Sequence, residues 1–122
     1  MRRFSRASSS FALLFLITAL VTTPLWAHAV LMDSTPKMNS TVKGPDIPIR
    51  LKFNVRVDGK RSRLQLTNPD GSTTTLEAPK QTAPDTVESH ANGLKPGDYK
   101  LEWRALASDG HMSKGEVDFT VN

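Results

Sequence analysis

Hydrophobic and polar residues alternate along most of the chain beyond residue 29, and turn-forming residues interrupt the alternation at short intervals. Alternation with a period of two is typical of strands that bury one face. Clear runs occupy residues 47–53, 99–105 and 117–121, and an Asn-Pro-Asp-Gly turn signal stands at residues 68–71. Beyond residue 27 the sequence shows no helical hydrophobic stripe. The pattern therefore predicts an all-β chain.

About seven short strands follow from this pattern, and we place them at residues 30–32, 47–53, 64–66, 73–76, 86–90, 99–105 and 117–121. An Asp-Gly pair at residues 58–59 is expected to end the second strand segment. Strands at these spacings predict an immunoglobulin-like β-sandwich or barrel, cupredoxin-like in outline. The inward-facing positions predict the following core: Ile49, Leu51, Phe53, Leu64, Leu66, Tyr99, Leu101, Trp103, Val117 and Phe119.

The first 27 residues have the order of a Sec signal peptide. Three arginines lie within the first six residues, an apolar run follows at residues 11–21, and small residues come next. The apolar run is shorter than the roughly 20 residues that span a bilayer. We predict a leader at residues 1–27 that is removed and one exported domain at residues 28–122 without a membrane span. A retained anchor is the alternative.

Two cleavage positions compete at the end of the leader. Cutting after Ala27 makes His28 the new N-terminus but puts Leu25 three positions before the cut. Cutting after Ala29 fits the Ala-x-Ala pattern better. Sequence rules slightly favour the second position, whereas the metal chemistry considered next requires the first.

The exported domain is almost neutral and has no cysteine. Three of the sixteen basic residues lie in the leader, so thirteen basic residues face twelve acidic ones and leave a net charge of +1. This balance argues against nucleic-acid binding, which needs a concentrated basic patch. The absence of cysteine excludes thiolate chemistry, Fe–S clusters and blue-copper sites.

Three histidines lie in the exported domain, and His28 would be its first residue. A terminal histidine offers two nitrogens, its α-amine and its imidazole Nδ1, which together chelate a divalent metal once the amine is unprotonated. Asp109 and His111 flank Gly110, so an extended backbone would aim both side chains to one side. The resulting N₃O set suits Cu(II), whereas Zn²⁺ would favour a tetrahedral site. His90 is interpreted as a surface histidine.

Several motifs resemble those of the CopC/PcoC/YobA copper-resistance proteins of bacterial periplasms, over essentially the whole exported domain. They are His-Ala-Val-Leu at 28–31, Ser-Thr-Pro at 34–36, the strand at 49–54 and the strongest match, from Pro-Gly-Asp-Tyr at 96–99 through Ser-Asp-Gly-His at 108–111 to residues 115–121. The resemblance implies a Greek-key sandwich that holds one Cu(II) through His28, Asp109 and His111. It also implies cleavage directly before His28.

Two departures from the family pattern narrow the expected chemistry. Many members carry a glutamate near the metal where this chain has Val55, and some have a Met-rich loop that binds Cu(I). The corresponding stretch here, residues 68–80, contains no methionine or histidine. We therefore expect a type that binds Cu(II) only.

Three functions remain open from the sequence. The leading one is a non-enzymatic periplasmic Cu(II) carrier or buffer in copper resistance and homeostasis, which delivers copper to a CopD-like inner-membrane transporter or to an oxidase. The second is a copper oxidase or monooxygenase with an N-terminal histidine brace. The third is a metal-free β-sandwich interaction module, for which a chelator or an extra residue before His28 would change nothing.

Overall fold

The computed structural model describes residues 28–122, and the predicted leader lies outside them. The described residues form nine strands, here numbered in chain order: β1 (Leu31–Thr35), β2 (Ser40–Val42), β3 (Ile47–Phe53), β4 (Val57–Thr67), β5 (Thr73–Thr75), β6 (Lys80–Ala83), β7 (Thr86–Ala91), β8 (Gly97–Ala107) and β9 (Met112–Val121). Across this part of the chain there is no helix of the length and hydrophobicity needed to cross a bilayer.

The strands form two sheets that enclose one core. One sheet has the order β1-β3-β7-β6, and the other has the order β2-β9-β8-β4-β5. All neighbouring pairs are antiparallel except β2 and β9, which run parallel. The predicted all-β sandwich is confirmed. The sequence analysis missed β2 and β6 because these strands are short and mostly polar, so that no alternation marks them.

The Asp-Gly pair at residues 58–59 does not end a strand, and this prediction was wrong. Both residues lie inside β4, where the register with β8 shifts between Asp58 and Arg63. Gly59 is buried, and its N–H donates to Oε1 of Gln81 at 3.2 Å. The pair lies where the pairing of β4 with β8 is irregular. Because Gly59 has no side chain, β6 can approach β4 closely there.

All ten predicted core residues are buried. The alternation explains this result, because every second residue of β3, β8 and the later part of β9 points between the sheets. Phe53 and Trp103 join the two sheets through an edge-to-face contact with ring centroids 5.1 Å apart. Gly115 lies opposite Trp103 in the β8–β9 pair and leaves room for its indole.

Candidate metal centre

The turn between β8 and β9 presents two of the three predicted ligands. The N–H of Gly110 donates to the carbonyl of Ala107 at 2.9 Å, and the N–H of Ala107 donates to the carbonyl of His111 at 2.8 Å. Gly110 has a φ of 90°, which a residue with a side chain rarely adopts. The glycine therefore closes the turn tightly and leaves Asp109 and His111 on its exposed side.

The segment at residues 28–30 brings the third predicted ligand to the same end of the sandwich. The N–H of Ala29 donates to Oγ of Ser113 at 3.0 Å, and the Ala29 side chain is buried in the core. The N–H of Val30 donates to Oδ1 of Asn54 at 2.7 Å, and the N–H of Asn54 donates to the carbonyl of Val30 at 3.0 Å. These three hydrogen bonds fix the backbone directly after His28.

The three predicted ligands lie close together as a result. The imidazole rings of His28 and His111 have centroids 5.5 Å apart in an edge-to-face arrangement. Nδ1 of His111 lies 3.0 Å from Oδ2 of Asp109. The side chains of His111 and Asp109 are 61% and 38% exposed, so both can rotate toward a shared ion at little cost. His28 lies about eighty positions before Asp109 and His111 in the sequence, and the fold brings it near them.

Asp109 is held in its ionised form. The N–H of His111 donates to its Oδ1 at 3.0 Å and lowers the pKa of the carboxyl below the usual 3.8. The hydrogen bond with the His111 side chain and the charges of both imidazoles lower this pKa further. An ionised carboxylate beside two imidazoles is a donor set that suits a divalent metal such as Cu(II).

Side chains alone do not complete a metal site here. Among residues 28–122 no group of three His, Asp or Glu side chains is arranged so that it could hold an ion. Val55, for which the resemblance implies a glutamate in many relatives, is partly buried and packs against the core. A complete set of donors therefore needs either a rotation of the exposed side chains or a further group, such as a main-chain amine.

His90 and Met38 lie apart from this cluster. His90 is exposed on β7, with its Nε2 3.8 Å from Oε2 of Glu77. The Sδ atom of Met38 accepts the N–H of Asp118 at 3.4 Å, at the opposite end of β9. Met32, Met38 and Met112 are all more than half exposed. Of these, only Met112 adjoins the candidate site in sequence.

The sequence analysis missed Ser113 and Asn54, whose side chains hold the segment at residues 28–30. Serine and asparagine are common in turns and at surfaces, so neither residue type signals such a role. Their hydrogen bonds to Ala29 and Val30 span 84 and 24 positions of the sequence, respectively, so this role can be recognised only from the folded structure.

Comparisons with known proteins show the family of the chain. The family model of the CopC domain matches residues 31–122. Protein YobA of Escherichia coli (strain K12) is 35% identical over 117 residues, which cover 93% of this chain and 94% of that protein.

Two solved structures also match. The crystal structure of CopC from Methylosinus trichosporium OB3b superposes with a TM-score of 0.71 at 28% identity and covers 78% of this chain and 94% of its own. PcoC, a methionine-rich copper resistance protein from Escherichia coli, has a TM-score of 0.63 at 31% identity and covers 79% and 100%.

The fold and the site together define a small β-sandwich that gathers imidazole and carboxylate groups at one end. The chain belongs to the CopC family, and its relatives include copper resistance and copper transport proteins. Its function therefore concerns copper.

Proposed function

We propose that the exported domain, residues 28–122, is a periplasmic Cu(II) carrier or buffer that performs no reaction on the metal. The observation that supports this function most directly is the approach of His28 to His111, with ring centroids 5.5 Å apart. In this proposal His28 supplies its α-amine and imidazole, Asp109 supplies an oxygen and His111 supplies a nitrogen. Together they make one N₃O site, which suits the tetragonal geometry of Cu(II).

The contacts of Ala29 support cleavage directly before His28. Its side chain is 4% exposed, and its N–H is bonded to Ser113. Cleavage before Val30 would discard a buried side chain and a hydrogen bond that the fold provides for. Cleavage before His28 keeps both and frees an amine on the residue whose imidazole lies near that of His111.

The exposure of the site suits release of copper to another protein. The side chain of His111 is 61% exposed, so a receiving protein can reach the ligands without opening the sandwich. We infer that the recipient is an inner-membrane transporter of the CopD type. The proposal retains the Cu(II)-only character expected from the sequence, since residues 68–80 carry no thioether or imidazole ligand.

The first experiment titrates Cu(II) into the exported protein and into two variants. We expect one equivalent to bind, and we expect His111→Ala to lose this binding. His90→Ala is the matched control, because it removes an exposed imidazole outside the site and should bind as the parent does. Equal binding by all three proteins would reject the site.

The second experiment tests the amine. The intact mass of the exported protein gives its first residue, and one glycine added before His28 should abolish tight binding because it moves the amine away from the imidazole.

A carrier also predicts that ascorbate yields no more peroxide with the copper-loaded protein than with free copper. Excess peroxide would favour a histidine-brace oxidase instead.

A further inference from the structure

The outer face of the five-stranded sheet carries three cationic side chains in direct register. Arg104 of β8 lies opposite Arg63 of β4 on one side and opposite Lys114 of β9 on the other. All three are exposed. Within the part of the chain that the structure describes, none of them forms an ion pair with a carboxylate. We refer to Arg63, Arg104 and Lys114 as the cationic row.

The stability of the sheet does not account for the cationic row. Like charges placed directly opposite each other on neighbouring strands are destabilising. On the same face Lys100 is compensated, because its Nζ lies 3.4 Å from Oε2 of Glu116 and it lies opposite Asp118. An acidic residue at position 104 would compensate both of its neighbours in the same way. The chain instead has an arginine there.

The cationic row lies on the half of the face that is nearer to the candidate metal centre. Lys114 follows His111 by three residues, which is about 10 Å of extended chain. Between the row and the turn, the half-buried Leu106 lies opposite Met112, which is 53% exposed. A protein in contact with the cationic row and Met112 would therefore also reach the exposed side of the copper ligands.

We propose that the cationic row is the docking surface for an acidic protein that exchanges copper with this domain. The identity of the cargo rests on the function proposed above, whereas the docking itself does not require copper. The partner would present carboxylates to the row and an apolar side chain to Met112. The exposed charges favour fast, salt-sensitive association more than tight binding, which suits a transfer complex.

The charge pattern beside the row favours a protein over an anionic membrane. Glu102 and Glu116 lie opposite each other in the next row of the same face, so a cationic stripe adjoins an acidic one. A membrane surface is uniformly negative and would be repelled by the second stripe while attracted to the first. A protein surface can match both stripes.

The test follows backbone amide shifts by NMR while a short oligoglutamate peptide is added to the exported protein at low ionic strength. We expect the shifts to concentrate on the cationic row and its neighbours. Arg104→Glu should weaken binding by roughly tenfold and should leave Cu(II) affinity unchanged. It should also raise the urea midpoint slightly, because it converts two repulsions into attractions. The matched control is Lys43→Glu, which makes the same charge change in an exposed loop.

Three outcomes would overturn the proposal. Shifts spread evenly over all lysines and arginines, or equal weakening by both variants, would show that the row is only a solvated surface. Binding to phosphatidylglycerol vesicles that depends on Arg104 would identify a membrane as the partner. Concentration-dependent dimerisation that Arg104→Glu abolishes would identify a second copy of the chain. If the parent protein docks the peptide at the cationic row but binds no copper, the proposed function is rejected and the docking surface is not.

Discussion

The amide N–H of Ala29 donates a hydrogen bond to the hydroxyl oxygen of Ser113, 84 positions further along the chain, at 3.0 Å. This bond joins the residue after His28 to the second residue after His111. The segment at residues 28–30 and the turn between β8 and β9 are thereby held in a fixed relation. In the proposed copper site, Ser113 would act as a positioning residue that touches no metal.

Ser113→Ala is expected to weaken copper binding without removing a ligand. A lost hydrogen bond of this kind costs about 1 kcal/mol, so Cu(II) affinity should fall about fivefold while the stoichiometry stays at one. Competition with a chelator of known affinity measures the change. Ser113→Thr keeps the hydroxyl and should restore most of the affinity. Ser40→Ala, which removes a hydroxyl bonded to Lys37 at the far end of β9, is the control. Parent-like affinity in Ser113→Ala would contradict the positioning role.

Asn54→Ala is expected to act on the same segment and to be coupled to Ser113→Ala. Asn54 holds Val30 through its side chain at 2.7 Å, and Ser113 holds the adjacent Ala29. Once either side chain is removed, the segment at residues 28–30 becomes less ordered, and the remaining hydrogen bond then contributes less to its position. The loss of copper affinity in the double variant should therefore be smaller than the sum of the two single losses. Strictly additive losses would show that the two contacts act independently.

The alternation of residues was sufficient to predict the sandwich and its core. Period-two patterning reports which side chains face inward, and β3 follows it without exception. The pattern gives no indication of a strand that is short and mostly polar, as β2 and β6 are. It also misled at residues 58–59, because an Asp-Gly pair serves a turn and an irregular strand equally well.

The candidate ligands could be predicted because their chemistry is unusual, whereas the contacts around them could not. A histidine near a predicted cleavage position and an Asp-Gly-His motif are recognisable in the sequence. The bond from Ala29 to Ser113 depends on the alignment of elements that are remote in the chain. The cationic row depends in the same way on which residues of β4, β8 and β9 lie opposite one another. Neither the hydrogen bond nor the cationic row can be recognised from a short stretch of the sequence.

Gly115→Ala is expected to destabilise the domain by forcing the Trp103 indole to move. A Cβ atom at residue 115 would lie 2.7 Å from Cε2 and 2.9 Å from Nε1 of Trp103. Overpacking of this kind typically costs about 1–3 kcal/mol. Urea unfolding followed by circular dichroism measures the loss. Phenylalanine is smaller than tryptophan, so the same substitution in a Trp103→Phe background should cost less. An equal cost in both backgrounds would show that the indole is not the obstacle.

Asp70→Asn is expected to lower stability at neutral pH and not in strong acid. The hydroxyl and N–H of Ser72 both donate to the Asp70 carboxylate and lower the pKa of that carboxyl below the usual 3.8. A lowered folded-state pKa gives stability that is present above the unfolded value and is lost as the pH falls through the folded value. The difference in urea midpoint between parent and variant should therefore shrink below about pH 4. A difference that stayed constant into acid would contradict the assignment.

Chains that begin at His28, Ala29 and Val30 are expected to separate the role of the fold from that of the metal. Removing His28 alone takes away an exposed residue, so the free energy of unfolding without copper should hardly change, while Cu(II) binding should be lost. Removing Ala29 as well discards a buried side chain and its bond to Ser113. That step should lower the free energy of unfolding by about 1–2 kcal/mol. Urea unfolding in the presence of a chelator measures all three chains. Equal stability of the chains that begin at Ala29 and at Val30 would mean that the sandwich does not need residue 29, and the structural support for cleavage before His28 would then be lost.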